Sequence, residues 1–136
     1  MENSDVKLTP QQQAELEKLG VVLCYLHGSV AKGTARTDSD VDIAVLFDRM
    51  PDDPIEVTGA LIQALHGLAP GREKDIAILN EASPLFCQSV AALGIRLYAR
   101  SEEDDVGFQI HTMHKYEDSR HIANIGRQAV MAAAGI

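Results

Sequence analysis

A chain of 136 residues, 46% of them apolar, has material for one hydrophobic core and hardly two, so a single domain spanning residues 1–136 is expected. Its net charge of −8 sets up a general repulsion from nucleic-acid backbones and anionic membranes. That argues against broad DNA, RNA or lipid binding but leaves a small anionic ligand open, because such a ligand answers to local groups and bound cations.

Thr9, Pro10 and Gln12 mark a helix start: a capping hydroxyl, a Pro at the first helical position, and a Gln placed to return a bond to the cap. This helix is predicted to end near Leu19, with Gly20 as its stop. Val21 to His27 is a continuous apolar run between glycines, short enough for a buried strand. The segment from Gly28 to Ser39 is small and polar. A second strand follows from Val41 to Phe47, in which Val41, Ile43 and Val45 alternate with Asp40, Asp42 and Ala44.

Val57, Leu61, Leu65 and Leu68 then recur at helical spacing until Pro70-Gly71, and Lys74 to Leu79 reads as a third strand. Ser83-Pro84 opens another helix that Gly94 stops, and Ile95 to Ala99 is short and β-prone. Ser101, followed by Glu102, Glu103 and Asp104, starts the last helical region, with acidic residues where the helix dipole favours them and breaks expected near Gly107 or Gly126. With no Trp and 4% aromatic residues, the core is mostly Leu, Ile, Val and Ala, which favours α/β over a β-sandwich. The start of the chain is polar and no apolar run approaches the roughly 20 residues of a membrane span, so a cytoplasmic protein is expected. Cys24 and Cys87 lack CxxC spacing and read as reduced, buried thiols.

The chemistry concentrates in GSVAKGTARTDSDVD. Alternation along a strand sends Asp40 and Asp42 to one face, where two carboxylates repel unless a cation joins them. Hard oxygen ligands suit Mg²⁺ or Mn²⁺, with phosphate oxygens completing the shell. Gly28 lets backbone approach a phosphate closely, and the Ser29 hydroxyl and neighbouring amides can donate to it. Asp75, in the third strand, offers a further oxygen ligand or a base for an attacking hydroxyl. Lys32, Arg36, Arg72 and Lys74 lie near enough in sequence to offset phosphate charge.

Other readings of the segment fit less well. Asp38, Asp40 and Asp42 imitate half a calcium loop, but Ile43 takes the required Gly position and Arg49 that of the closing Glu. Gly28 to Thr34 approaches a P-loop, yet Lys32 precedes the second Gly. A solvated acidic turn explains neither the Gly-Ser pair nor its spacing from the carboxylates. Elsewhere, His111, His114 and His121 suit a solvated or partner-facing helix surface better than a zinc site, since no carboxylate or Cys pattern completes one. Tyr116 and Met113 suit an interface or a core equally. His27 stands open between nucleotide contact and packing.

These residues resemble the nucleotidyltransferase superfamily of the DNA polymerase β type, whose signature is Gly-Ser, ten intervening residues, then Asp-x-Asp. It stands complete here as Gly28-Ser29, Val30 to Ser39, and Asp40-Val41-Asp42, with Gly33 and Ser39 of the extended form. Lys74-Asp75-Ile76 looks like the third acidic strand. Within that superfamily the chain is similar to the minimal nucleotidyltransferases, the antitoxin halves of HEPN/MNT toxin–antitoxin pairs. The resemblance implies a mixed β-sheet flanked by helices, palm-like in the polymerase β sense.

It also implies transfer of AMP from ATP to a tyrosine of a HEPN ribonuclease toxin, with which the chain forms a hetero-oligomer. Asp40, Asp42 and Asp75 are then the catalytic carboxylates, Asp40 and Asp42 binding two Mg²⁺ and Asp75 joining one. Gly28, Ser29, Lys32, Gly33 and Ser39 hold the nucleotide. Lys32 stands where many members have Arg, keeping a cation but losing its fork geometry. Little of the chain is left to hold tRNA, a primer or an antibiotic, so a protein acceptor is expected. The alternatives are an antitoxin that acts by occlusion alone, and a transferase for a small molecule or an RNA end.

Overall fold

The computed structural model describes residues 6–31, 33 and 40–135, with residues 29 and 30 in backbone only. Helix α1 runs Pro10–Lys18, strand β1 Val21–His27, the single turn α2 Gly28–Ala31, and strand β2 Val41–Phe47. Helix α3 (Pro54–Ala64), strand β3 (Lys74–Ile78), helix α4 (Pro84–Leu93), strand β4 (Ile95–Ala99) and helix α5 (Glu102–Ala133) complete the order. The start of α1 is capped reciprocally: the Gln12 amide donates to Thr9 Oγ1 at 3.1 Å and the Thr9 amide to Gln12 Oε1 at 2.9 Å.

The four strands form one sheet in the order β3-β2-β1-β4. β1 is antiparallel to both β2 and β4, whereas β2 and β3 are parallel, joined by the α3 crossover, so the sheet is mixed. On one face Leu16 of α1 and Leu61 of α3, with Leu65 just beyond, close over Cys24, Leu26, Val41, Ile43 and Val45. On the other, Val90 of α4 and Phe108 of α5 pack on Leu23, Tyr25 and Ala44. A register shift between Val21 and Leu23 puts the consecutive Val22 and Leu23 on that same face. Downstream of it, Tyr25 and His27 share the α4/α5 face with Asp42 and Ala44 by strand alternation.

Two boundaries differ from expectation. α3 ends at Ala64, with Leu65 as its cap, although Leu65 and Leu68 remain buried in the chain that follows. α5 passes through Gly107 and Gly126 without a break, as one helix of 32 residues. Glycine lowers helix stability by about 1 kcal/mol but does not forbid the conformation, and the capped first turn is held firmly. Tyr25 Oη donates to Asp105, Arg96 donates to Asp105 at 3.1 Å and to Glu102 at 2.8 Å, and Gln109 Nε2 donates to the Ala91 carbonyl at 3.2 Å. Beyond Thr112 the helix is almost wholly exposed. Among the described residues, no helix is long and apolar enough to cross a membrane.

Candidate active site

The active-site corner is written by hydrogen-bond register. β1 pairs His27 with Asp42, and β2 pairs Asp42 with Asp75. Partners directly opposite in a sheet share a face, with Cβ atoms about 4.5–5.5 Å apart in antiparallel pairs. One imidazole and two carboxylates therefore stand in a row across three strands, on the face that α4 and α5 cover. β2 begins at Val41, whose amide donates to the Glu73 carbonyl at 2.8 Å, so Asp40 precedes the strand rather than lying on it. Asp40 and Asp75 are exposed, whereas Asp42 is half-buried.

Gly28 makes the corner possible. Its φ is +74°, in the left-handed region, and a Cβ placed on it would collide with the Asp42 carboxylate. The carboxylate thus lies against bare backbone at the exit of β1. Gly33, with φ +73°, forms an exposed turn further along the same connection. Ser29 is placed by its backbone in α2. Lys32, Arg36 and Ser39 lie outside the described residues.

Electrostatics at the corner are unfavourable to a bare Asp42 carboxylate. Burial raises the Asp42 pKa, and the nearby Asp75 and Asp40 charges raise it further, with His27 opposing among the described residues. Burial likewise lowers the His27 pKa, against the pull of Asp42 and Asp75. The His27 ring meets the edge of Phe86 from α4, with centroids 5.3 Å apart and planes at 89°. Its Nε2 is buried with no hydrogen-bond partner, a state that costs about 1–3 kcal/mol. Among the described residues, no three Asp, Glu, His or Cys side chains close around one point as a self-sufficient metal cage. The donor set still suits a hard cation: two solvent-open carboxylates flank a third that is desolvated and crowded by like charge.

Lys74 does not serve this corner. It lies one residue from Asp75 and therefore on the opposite face, where its Nζ donates to the carbonyls of Arg72 at 2.8 Å and Ala69 at 3.2 Å. Arg72 lines the same crevice beside Ile62 and His66, on the α3 side. Sequence proximity alone placed Lys74 near phosphate, which ignores the alternation of a strand. What sequence reasoning missed is the Phe86 contact and the facing of His27 to Asp42. The available signal was a His ending a strand two residues in phase with Tyr25 and immediately before the critical Gly. A separate groove of about 530 Å³ lies at the other end of β2 and β3, lined by Leu46, Leu79, Phe108 and Thr112 among others.

Similarity to known proteins bears on this geometry. The family model described as "Polymerase beta, Nucleotidyltransferase" matches residues 12–103. The protein adenylyltransferase MntA of Shewanella oneidensis is 31% identical over 118 residues, covering 85% of this chain and 77% of that protein. A crystal structure of a toxin–antitoxin with AMP-PNP superposes with a TM-score of 0.65 at 30% identity, covering 91% of this chain and 98% of the other. A structure of a tri-AMPylated Shewanella oneidensis HEPN toxin in complex with MNT antitoxin gives a TM-score of 0.59 at 27% identity, covering 92% of this chain and 97% of the matched one.

Proposed function

Because this chain belongs to the polymerase β nucleotidyltransferase family, we propose that residues 1–136 form one minimal transferase domain acting as an antitoxin. It transfers AMP from ATP to a tyrosine hydroxyl of a cognate HEPN ribonuclease toxin, with which it forms a hetero-oligomer. The observation that carries this reading is the facing of Asp42 and Asp75 on adjacent parallel strands, beside a Gly28 turn that a side chain would block. The MntA relative and the AMPylated toxin complex supply the acceptor class.

In this reading Asp40, Asp42 and Asp75 hold two Mg²⁺, with Mn²⁺ as a substitute. When bound, these ions supply charge neutralisation of the triphosphate and activation of the acceptor hydroxyl. Gly28 opens the backbone to the phosphates, and Ser29, Lys32, Gly33 and Ser39 hold the nucleotide. Asp75, open to solvent, receives the proton of the tyrosine hydroxyl. The new bond joins the tyrosine oxygen to the α-phosphorus, and the bond to pyrophosphate breaks in line with it.

Neutralisation by binding alone is a second reading. It draws on α5, whose distal half exposes Ile122, Ile125, Val130 and Met131. To separate the two, the chain is incubated with Mg²⁺, α-labelled ATP and, in turn, the toxin encoded beside it, tRNA and small-molecule acceptors. Label on a tyrosine of the toxin is the expected result. Neutralisation without label would establish occlusion, and label on tRNA or a small molecule would replace the acceptor.

A further inference from the structure

His27 is poorly explained as packing. Its ring fills the space against Phe86, but Phe or Leu would fill it as well without leaving a polar atom buried and unmatched. The acceptors that face the ring by register are the Asp42 carboxylate and, one strand further on, that of Asp75. The Asp42 carboxylate also lies against Gly28, the residue that follows His27 in the chain. Imidazole and carboxylate thus share one corner, and among the described side chains in that row the imidazole is the one that can donate.

We propose that His27 is a positioning residue: its Nε2, unpartnered in this structure, is the donor that one oxygen of Asp42 takes up when a cation draws that carboxylate into place, so that the other oxygen faces the cation. Phe86 holds the ring from the α4 side and keeps it from turning away. The inference rests on the proposed metal-dependent transfer, since a carboxylate that held no cation would need no such orientation. It assigns positioning rather than chemistry to His27. Hydrogen bonds to a metal-binding side chain of this kind typically govern metal affinity by about 10- to 100-fold.

The test uses the full chain and Mn²⁺ alone, with free Mn²⁺ read by electron paramagnetic resonance. Wild type is measured beside His27→Phe and His27→Leu, which keep the packing and lose the donor, and His27→Gln, which keeps a donor. The two apolar variants are expected to bind Mn²⁺ about 10- to 100-fold more weakly while melting no lower than wild type. His27→Gln is expected to regain most of the affinity, and excess Mg²⁺ to restore the transfer rate of His27→Phe. Equal Mn²⁺ affinity in wild type and the folded apolar variants overturns the proposal. So does equal weakening in His27→Gln, or failure of all three variants to fold, which would assign His27 to packing. If wild type itself takes up no Mn²⁺ at millimolar concentration, the metal-dependent reading fails first, and that failure is visible without any variant.

Discussion

At position 28 a methyl group would have to occupy the space of the Asp42 carboxylate, on a backbone whose left-handed φ disfavours any side chain by about 1–2 kcal/mol. Gly28→Ala is therefore expected to displace Asp42 and reduce AMP transfer to background, with a modest fall in melting temperature, as labelling and calorimetry would show. Asp42→Asn makes the contrasting case. It should lower transfer by roughly a thousandfold, the scale seen when a group that stabilises transition-state charge is removed. Its effect on stability runs the other way. Burial raises the Asp42 pKa, so the folded chain binds that proton more tightly than the unfolded one, and its contribution to stability declines as pH rises through the carboxylate range. At pH 7 without divalent cations, Asp42→Asn should melt above wild type. A lower melting temperature would show that the Asp42 charge has a compensating partner. At this scale the sequence was informative where residue types are scarce and spacing is rigid, as with Gly28 and Asp42. It left His27 open between nucleotide contact and packing, because one strand cannot say what its neighbour places opposite.

Element boundaries followed from capping and turn chemistry wherever a local hydrogen bond decides them, as at Thr9 and Ser101. They failed where the deciding contact is distant. α5 is latched just before Gly107 by Tyr25, 80 residues away from Asp105, and nothing near Gly107 announces that latch. Tyr25→Phe removes it while leaving the apolar body of the ring against Phe108. A loss of about 1–2 kcal/mol in urea denaturation is expected. The salt links at the head of α5 are pH-sensitive in the ordinary sense: Arg96 holds Glu102, and Arg100 holds Asp104, below the usual carboxylate range. Their support is present above that range and is lost as pH falls through the depressed values. Acid titration followed by circular dichroism should show α5 loosening below about pH 4, and a helix signal flat to pH 2 would contradict it.

For the whole molecule, the mixed sheet has a consequence for how the protein can fail. Asp42 and Asp75 belong to different strands, and their relative height is set by the β2–β3 ladder beneath the α3 crossover. A ladder does not slide continuously. A slip of one residue turns Asp75 to the wrong face, and a slip of two carries it about 7 Å along the strand. Leu65→Ala, beneath that crossover, should cost about 2–5 kcal/mol, because Leu65 is fully buried. The damage should nevertheless appear as fewer competent molecules rather than weaker ones: total activity falls, while turnover per titrated nucleotide site and the KM for ATP stay as in wild type. Alignment of the two carboxylates behaves as a digit and not as a dial, so partial defects from core mutations are matters of dosage, repairable by making more protein.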